Sequence, residues 1–167
     1  HDALPISSHV TPRTLSASSE LVTFGAHREA IVHGLWRTRS VGTLKLWGRA
    51  LSRLEQDLEL GLVWTTLSSS DAVESGANPD TLDGVVDELI SYAPEARVVA
   101  LISERRDGVC LSLHASPPLS AAELVRPFGG NGTRERATVI LPLEGTFVDT
   151  VNAAIDRLRK AMKAMKI

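Results

Sequence analysis

The chain has 167 residues, of which 43% are hydrophobic, 23% charged and 4% aromatic, and its formal net charge is −2. A hydrophobic fraction near the globular average, with no apolar run as long as a bilayer span, excludes a transmembrane helix and wholesale disorder. A charge this small would also argue against a nucleic-acid or anionic-lipid partner. The single cysteine, Cys110, cannot form an internal disulfide or a thiolate metal cluster, so a reducing cytoplasm is the default compartment.

The small net charge hides an uneven distribution along the chain. Residues 1–53 sum to +4, residues 54–96 carry ten acids and no base, and residues 97–167 sum to +4. An acidic middle section therefore separates two basic ends, and one of those ends could meet an anionic ligand.

The amino-terminal part predicts helices. Residues 1–6 look like the translation of a sequencing-library adapter, so we exclude them from the expected fold and expect the natural chain to begin further upstream. Thr11-Pro12 predicts a helix start and Phe24-Gly25 its end, and a second helix is expected over residues 27–36. A third helix, long and amphipathic, is expected over residues 40–58, with an apolar stripe formed by Leu44, Trp47, Leu51, Leu54 and Leu58.

Beyond residue 58, short strands alternate with helices, which is typical of a mixed α/β domain. Strands are expected over residues 62–67, 97–102, 109–113 and 137–141, with Asp107-Gly108 marking a hairpin turn. Helix starts are expected at Ser68, Asn78-Pro79, Ser120 and Thr146, and the last helix runs to about Met165.

The most glycine-dense segment, Gly129-Gly130-Asn131-Gly132-Thr133, is the best candidate for a ligand contact. Clustered glycines permit positive φ and let backbone N–H groups converge on an anion, and Arg134 and Arg136 follow directly. The alternative is a tight loop between a helix and a strand, with solvated arginines. Spacing alone favours the loop, because a glycine cluster by itself is a weak motif.

From Ser7 to the end, the order of segments resembles the carboxy-terminal half of a DHH-superfamily phosphoesterase, nearest the bifunctional oligoribonuclease/pAp phosphatases (nano-RNases). The resemblance covers nearly the whole chain. It is carried by the glycine segment together with TPRT at residues 11–14, LKLWGRAL at 44–51, LVWTTL at 62–67, DGVVD at 83–87 and DGVCLSLH at 107–114.

The resemblance implies a domain organisation. Residues 7–36 would be the helical remnant of a catalytic domain, residues 37–58 a linker helix, and residues 59–167 a mixed-sheet, DHH-associated substrate-binding domain of α/β class. In such enzymes the catalytic domain holds a two-metal, manganese-type centre that activates water, and the second domain binds the nucleotide. The Asp-His-His signature does not occur here, and the five histidines lack ligand spacing, so we expect no metal ligand among His1, His9, His27, His33 and His114.

Two departures from the family pattern concern anion recognition. The family's Gly-Gly-x-Gly-His is followed by a basic residue, whereas here the histidine position is Thr133, followed by Arg134. The family's Ser-Leu-Arg-Ser reads Ser112-Leu113-His114-Ala115, so a phosphate-pairing arginine is replaced by histidine. We expect Thr133 to keep a hydroxyl donor and Arg134 to replace the lost charge. The resulting hypothesis places a substrate site at Ser112, His114, Gly129, Gly130, Asn131, Gly132, Thr133 and Arg134.

The resemblance therefore implies the nucleotide-binding part of a phosphoesterase that hydrolyses short oligonucleotides or nucleotide phosphates. Manganese would be bound by the missing domain, so this chain is expected to be inactive alone. We expect no membrane partner and consider a homodimer. Two alternatives stay open: a non-catalytic nucleic-acid-binding module, as is appended to alanyl-tRNA synthetases, and a degenerate regulatory paralogue.

Other notable residues have structural interpretations. Trp36, Trp47 and Trp64 are expected to pack in the core rather than stack on bases, and Cys110 to be a buried small hydrophobe. A solvated helix face is expected for Arg157, Arg159, Lys160, Lys163 and Lys166.

Overall fold

A computed structural model describes residues 11–27, 40–77 and 95–165 of the chain. They belong to two units, His1–Arg39 and Ser40–Ile167, and each unit is described by itself. The first contains helix α1 (Pro12–Thr23). The second contains, in chain order, α2 (Val41–Ser52), β1 (Glu55–Asp57), β2 (Leu62–Leu67), α3 (Ser69–Ser75), β3 (Val98–Arg105), β4 (Gly108–Ala115), α4 (Ala121–Val125), a 3-10 turn (Arg126–Phe128), β5 (Asn131–Gly132), β6 (Arg136–Leu141) and α5 (Phe147–Ala164).

The second unit is built on one six-stranded sheet, whose strand order is β1-β2-β3-β4-β6-β5. Strands β2 and β3 are parallel, and the other neighbouring strands are antiparallel. The predicted α/β class with a mixed sheet is therefore confirmed. No helix in the described ranges is both long and apolar enough to cross a membrane.

The two faces of the sheet are covered differently. On one face, alternate residues of β4 and β6 such as Leu111 and Val139 pack with α4 and α5 in the larger core. On the other face, Val99 and Leu101 of β3 pack against Leu46, Trp47 and Ala50 of α2. Successive side chains of a strand point to opposite faces, so the residues of β4 and β6 between the core positions belong to the second face. This second face of β4 and β6 carries the candidate site.

The expected helix starts at Thr11, Ser68 and Thr146 carry side-chain caps, whereas Ser120, which was also expected to cap a helix, makes no side-chain cap hydrogen bond. The hydroxyl of Thr11 accepts a hydrogen bond from the Thr14 N–H at the start of α1, and the helix gives way to Phe24 and Gly25 as expected. Ser68 and Thr146 cap α3 and α5 in the same way, each reinforced by an aspartate three residues later. Such side-chain caps satisfy N–H groups that have no partner inside the helix, and each is worth about 1 kcal/mol.

Helix α2 differs from the prediction in length and in its buried face. The helix ends at Ser52 rather than Leu58, because Glu55–Asp57 pairs with β2 as an edge strand. Of the expected apolar stripe, Trp47 alone is buried, whereas the four leucines are exposed. The buried side is instead Thr43, Leu46, Trp47 and Ala50. Ala50 lets the sheet approach closely enough for the Thr65 hydroxyl to donate to its carbonyl oxygen at 2.5 Å.

The β3–β4 hairpin turns one residue earlier than predicted. Arg105 pairs with Gly108, so the turn residues are Arg106 and Asp107, and Gly108 is the first residue of β4. Gly108 has φ +139°, and a Cβ there would lie 2.4 Å from the carbonyl oxygen of Leu141. Glycine is required at this position by the close approach of β6, rather than by the turn itself.

Several predictions concern residues outside the described ranges. They include most of the helix expected over residues 27–36 together with Trp36, the helix opened by Asn78-Pro79 and the DGVVD segment at residues 83–87. The domain boundaries at residues 36 and 58 stay predictions.

Candidate functional site

The expected site residues of β4 and β5 lie on the same face of the sheet. In the register, Ser112 pairs with Thr138 of β6, and Thr138 also pairs with Asn131 of β5, so these three residues form one row across three strands. The next pair along β4 and β6 is His114 with Arg136. Because paired residues of antiparallel strands point to the same side, all five side chains belong to one surface, which we call the polar face.

The polar face is open at β6 and β5. Asn131, Arg136 and Thr138 are exposed, and Ser112 and His114 are partly buried. Strands β4, β5 and β6 contain no Asp or Glu, so no carboxylate of these three strands opposes an anion there. A surface with hydroxyl, amide, imidazole and guanidinium groups can bind phosphate oxygens and the polar edges of a nucleotide.

The glycine segment contributes to the site differently from the expected cluster of anion-binding amides. The N–H groups of Gly129, Gly130 and Thr133 donate to the carbonyl oxygens of Arg126, Val125 and Arg136, at 3.0, 3.1 and 2.7 Å. Three of the five amides in the segment are therefore committed to the fold. Positive φ occurs in this segment at Gly129, which ends the 3-10 turn with φ +76°.

The other two glycines are required by close packing. A Cβ at Gly130 would lie 2.8 Å from the Cβ of Val139 and 3.0 Å from that of Val125. A Cβ at Gly132 would lie 2.4 Å from the Arg136 carbonyl oxygen and 2.5 Å from the Cα of Ala137. The glycines thus let β5 and the 3-10 turn press against β6, and their role here is structural.

Thr133 holds the turn between β5 and β6. Its hydroxyl accepts a hydrogen bond from the Arg136 N–H at 3.0 Å and lies 3.2 Å from the Arg136 carbonyl oxygen, to which it donates. The hydroxyl donor that was expected to replace the family's histidine is therefore used within the turn.

Arg134 belongs to a turn that is fixed at both ends. The carbonyl oxygens of Thr133 and Arg134 accept hydrogen bonds from the first two N–H groups of α4, at 3.1 and 2.8 Å. The Glu135 carbonyl oxygen accepts from the Ala115 N–H at 2.9 Å. These contacts explain why Ser120 precedes α4 without a side-chain cap. They also tie the backbone of Arg134 to α4, which packs on the core face of the sheet.

The site hypothesis omitted Arg136 and Thr138, although the sequence carried a signal for them. In β6, exposed residues alternate strictly with the buried Ala137, Val139 and Leu141. In β4, Ser112 and His114 alternate with buried residues in the same way. Knowledge of the register between β4 and β6 would therefore have identified Arg136 and Thr138 as neighbours of the site.

Two arginines at the carboxyl end of α2, Arg49 and the C-cap Arg53, are engaged in ion pairs. Arg53 Nη2 lies 3.0 Å from Asp71 Oδ1, Arg53 Nη1 contacts the other carboxylate oxygen, and Arg49 Nη1 lies 3.2 Å from Oδ1. Arg49 also binds Glu74 at 2.7 Å. Burial alone would raise the pKa of Asp71, but hydrogen bonds from Arg53 and Ser68 lower it from the ordinary 3.8 to about 2. Carboxylates from the acidic middle of the chain therefore neutralise the positive charge at the carboxyl end of α2.

The basic face of α5 is solvated only in part. Arg159 Nε lies 3.1 Å from Asp57 Oδ2, and its guanidinium lies 5.2 Å from the centre of the Trp64 ring. These contacts join α5 to β1 and β2, whereas Lys160 and Lys163 are exposed. Lys166 lies outside the described residues.

The remaining predicted residues fit their structural interpretations. Trp47 and Trp64 are buried in the two cores, and Cys110 is 2% exposed. The described ranges contain no group of three His, Cys, Asp or Glu side chains that could hold a metal ion. They include His27 and His114, whereas the other three histidines lie outside them.

Comparisons with known proteins bear on the fold. No family model matches the chain, and no curated protein matches it significantly. An exopolyphosphatase-related protein from Bacteroides fragilis superposes with a TM-score of 0.80 at 18% identity, over 94% of this chain and 46% of that one. The pGpG-specific phosphodiesterase PggH from Vibrio cholerae gives a TM-score of 0.54 at 14% identity, over 92% of this chain and 51% of that one.

RecJ from Thermus thermophilus, solved in complex with Mg²⁺, gives a TM-score of 0.50 at 15% identity, over 74% of this chain and 18% of that one. The chain thus spans about half, or less, of the length of these structures. At such identities the likeness establishes the fold alone, which is shared with part of each of these three structures.

Proposed function

We propose that the chain is the nucleotide-binding part of a DHH-superfamily phosphoesterase that hydrolyses short oligonucleotides or nucleotide phosphates, of the nano-RNase branch. The observation that carries the proposal is the polar face, on which Ser112, His114 and Asn131 line up with Arg136 and Thr138 across three strands. A structural neighbour supports the same class of ligand, because PggH is a pGpG-specific phosphodiesterase and shares this fold over about half of its length.

The residues of the polar face suit the parts of a nucleotide. Hydroxyl groups such as that of Ser112 donate to phosphate oxygens, and the amide of Asn131 can both donate to and accept from a base or ribose. The large core packs on the other side of β4 and β6 and holds these strands in place. Binding of a nucleotide therefore requires little loss of conformational entropy by the protein. The glycine segment supports the site by bringing β5 against β6.

Manganese, expected from the resemblance, has no fitting residues in the described ranges, because no three potential ligands cluster there. The proposal assigns no chemical step to the described residues. We propose that the metal is bound by the catalytic domain of a longer parent enzyme, where it would activate the attacking water. This chain contributes binding and orientation of the substrate.

A second candidate is a binding module without catalytic function, either as an independent nucleic-acid-binding domain or in a degenerate regulatory paralogue. It is favoured by the Thr133 hydroxyl, which is used within the turn rather than offered to a ligand. Manganese-dependent turnover by the longer protein that contains this chain would support the enzyme. Nucleotide binding without turnover would support the module.

Both candidate functions require that this chain binds nucleotides. Isothermal titration calorimetry with pApA and with pAp tests this requirement. We expect saturable binding that is weakened about tenfold by Asn131→Ala, since a lost polar contact costs about 1.4 kcal/mol. Asn152→Ala is the matched control, because Asn152 is an exposed asparagine on α5. Absence of binding at millimolar concentrations of both nucleotides, or an equal effect of both variants, would contradict the proposal.

A further inference from the structure

We propose that Arg136, rather than Arg134, is the cation that binds the phosphate on the polar face. The inference rests on the proposed function in so far as the ligand is a nucleotide phosphate. It deepens that function by naming the residue that selects for the charged group. It changes the expectation from the sequence, in which Arg134 would replace the charge lost at position 114.

The first argument is position. Arg136 is the direct cross-strand partner of His114, so its side chain leaves the sheet on the same side as those of His114 and Ser112. Directly opposed residues have Cβ atoms about 5 Å apart. A guanidinium at position 136 can therefore supply positive charge next to the place where a charge at position 114 would act. Arg134 has no such partner in the sheet, because it lies in the turn between β5 and β6.

The second argument is the way the backbone is held. The N–H and C=O groups of Arg136 are both bonded to Thr133, which fixes the start of β6. The carbonyl oxygen of Arg134 is bonded to the N–H of Ala121 at 2.8 Å, on the side of the sheet that carries α4 and the core. The same turn thus secures the two arginines in different ways. Arg136 is held as a strand residue that pairs with His114, whereas the backbone of Arg134 is held against α4.

The third argument is charge. Strands β4, β5 and β6 contain no Asp or Glu. Arg136 is exposed and stands at the entrance of a face that lacks acidic residues in its own strands. A planar guanidinium can bind two phosphate oxygens at once. A terminal phosphate carries nearly two negative charges at neutral pH and a diester only one, so the cation favours the terminal phosphate.

The experiment compares pApA with ApA, which differ only in the 5′-phosphate, in titrations of the whole chain. Wild type is expected to bind pApA at least tenfold more tightly than ApA. Arg136→Met should weaken pApA binding at least tenfold and leave ApA binding within twofold, because a charge-assisted hydrogen bond is lost. Arg136→Lys should restore part of the preference. Arg134→Met, the matched control in the adjoining turn, should leave both affinities within twofold.

The salt dependence of pApA binding gives a second readout. Loss of one phosphate contact should make the affinity for pApA less sensitive to added salt in Arg136→Met, with no change in Arg134→Met. Thermal unfolding of each variant shows that the effect is not a loss of fold. Retention of the pApA preference by Arg136→Met, or its loss in Arg134→Met, would overturn the inference.

Tripolyphosphate separates this inference from the proposed function. If wild type binds neither dinucleotide but binds tripolyphosphate in a manner that Arg136→Met abolishes, the nucleotide function is wrong and the anion site at Arg136 stands. If wild type binds neither the dinucleotides nor tripolyphosphate, both are overturned.

Discussion

The guanidinium of Arg53 and the carboxylate of Asp71 form a two-point ion pair in which Asp71 is almost completely buried and Arg53 is half exposed. The carboxylate of Asp71 also accepts hydrogen bonds from the N–H and hydroxyl of Ser68 at the start of α3. One buried side chain therefore joins α2 to α3 and completes a helix cap. Its contributions to stability can be measured separately.

Asp71→Asn is expected to destabilise the chain by about 3 kcal/mol, because breaking a buried pair leaves its partners unsatisfied. Urea denaturation, followed by circular dichroism, measures the change. Glu74→Gln is the control, since the Glu74 side chain pairs with Arg49 but is 63% exposed, and its loss should cost well under 1 kcal/mol. Equal effects of the two substitutions would show that burial of Asp71 has no part in the stability.

Acid should remove the Asp71 contribution in a defined range of pH. The folded-state pKa of about 2 lies below the ordinary 3.8 of the unfolded chain, so the carboxylate stabilises the fold by about 2 kcal/mol at neutral pH. This stability is complete above about pH 4 and is lost as the pH falls toward about 2. Urea titrations at a series of pH values in this range should show a shallower decline in Asp71→Asn than in wild type. An equal decline of the unfolding free energy in wild type and variant would show that Asp71 does not cause this pH dependence.

Gly132→Ala should destabilise the chain by about 2 kcal/mol or more, because the added Cβ would overlap backbone atoms of Arg136 and Ala137. Gly48→Ala is the opposite case. Gly48 lies within α2 and a Cβ there meets nothing within 4 Å, so the substitution should stabilise the helix by about 0.5–1 kcal/mol. Thermal unfolding of both variants measures the two effects. An unfolding temperature of Gly132→Ala equal to that of wild type would contradict the close packing inferred at Gly132.

If the metal is bound by the catalytic domain of a longer parent enzyme, as proposed, the chain alone should not hydrolyse pApA or pAp in the presence of manganese. Product formation is followed by chromatography with millimolar Mn²⁺, and a parallel reaction with chelator is the control. Chelator-sensitive turnover by the purified chain would mean that residues outside those ranges complete a metal centre.

Features that depend on local sequence could be predicted. The caps at Thr11, Ser68 and Thr146 were readable because each uses a side chain three residues from its partner. Short runs of apolar and β-branched residues located β2, β3, β4 and β6, and the order of segments was enough to predict the fold class.

Features that depend on tertiary contacts could not be predicted in the same way. Helix α2 carries apolar residues on two sides, Leu44 with Leu51 and Leu46 with Ala50, and only its contacts with Asp71 and the sheet decide which side is buried. The glycine segment has a composition that suits both an anion site and close strand packing. The register of β5 against β6 decides between these roles, and no local pattern encodes it.

The strict alternation along β6 separates two kinds of evolutionary change. Ala137, Val139 and Leu141 are constrained by the core, while Arg136, Thr138 and Ile140 between them face away from it. Two of the second set, Arg136 and Thr138, belong to the proposed site, and substitutions there should carry little penalty to folding. The ligand preference of the proposed site can therefore change while the core that positions it is preserved.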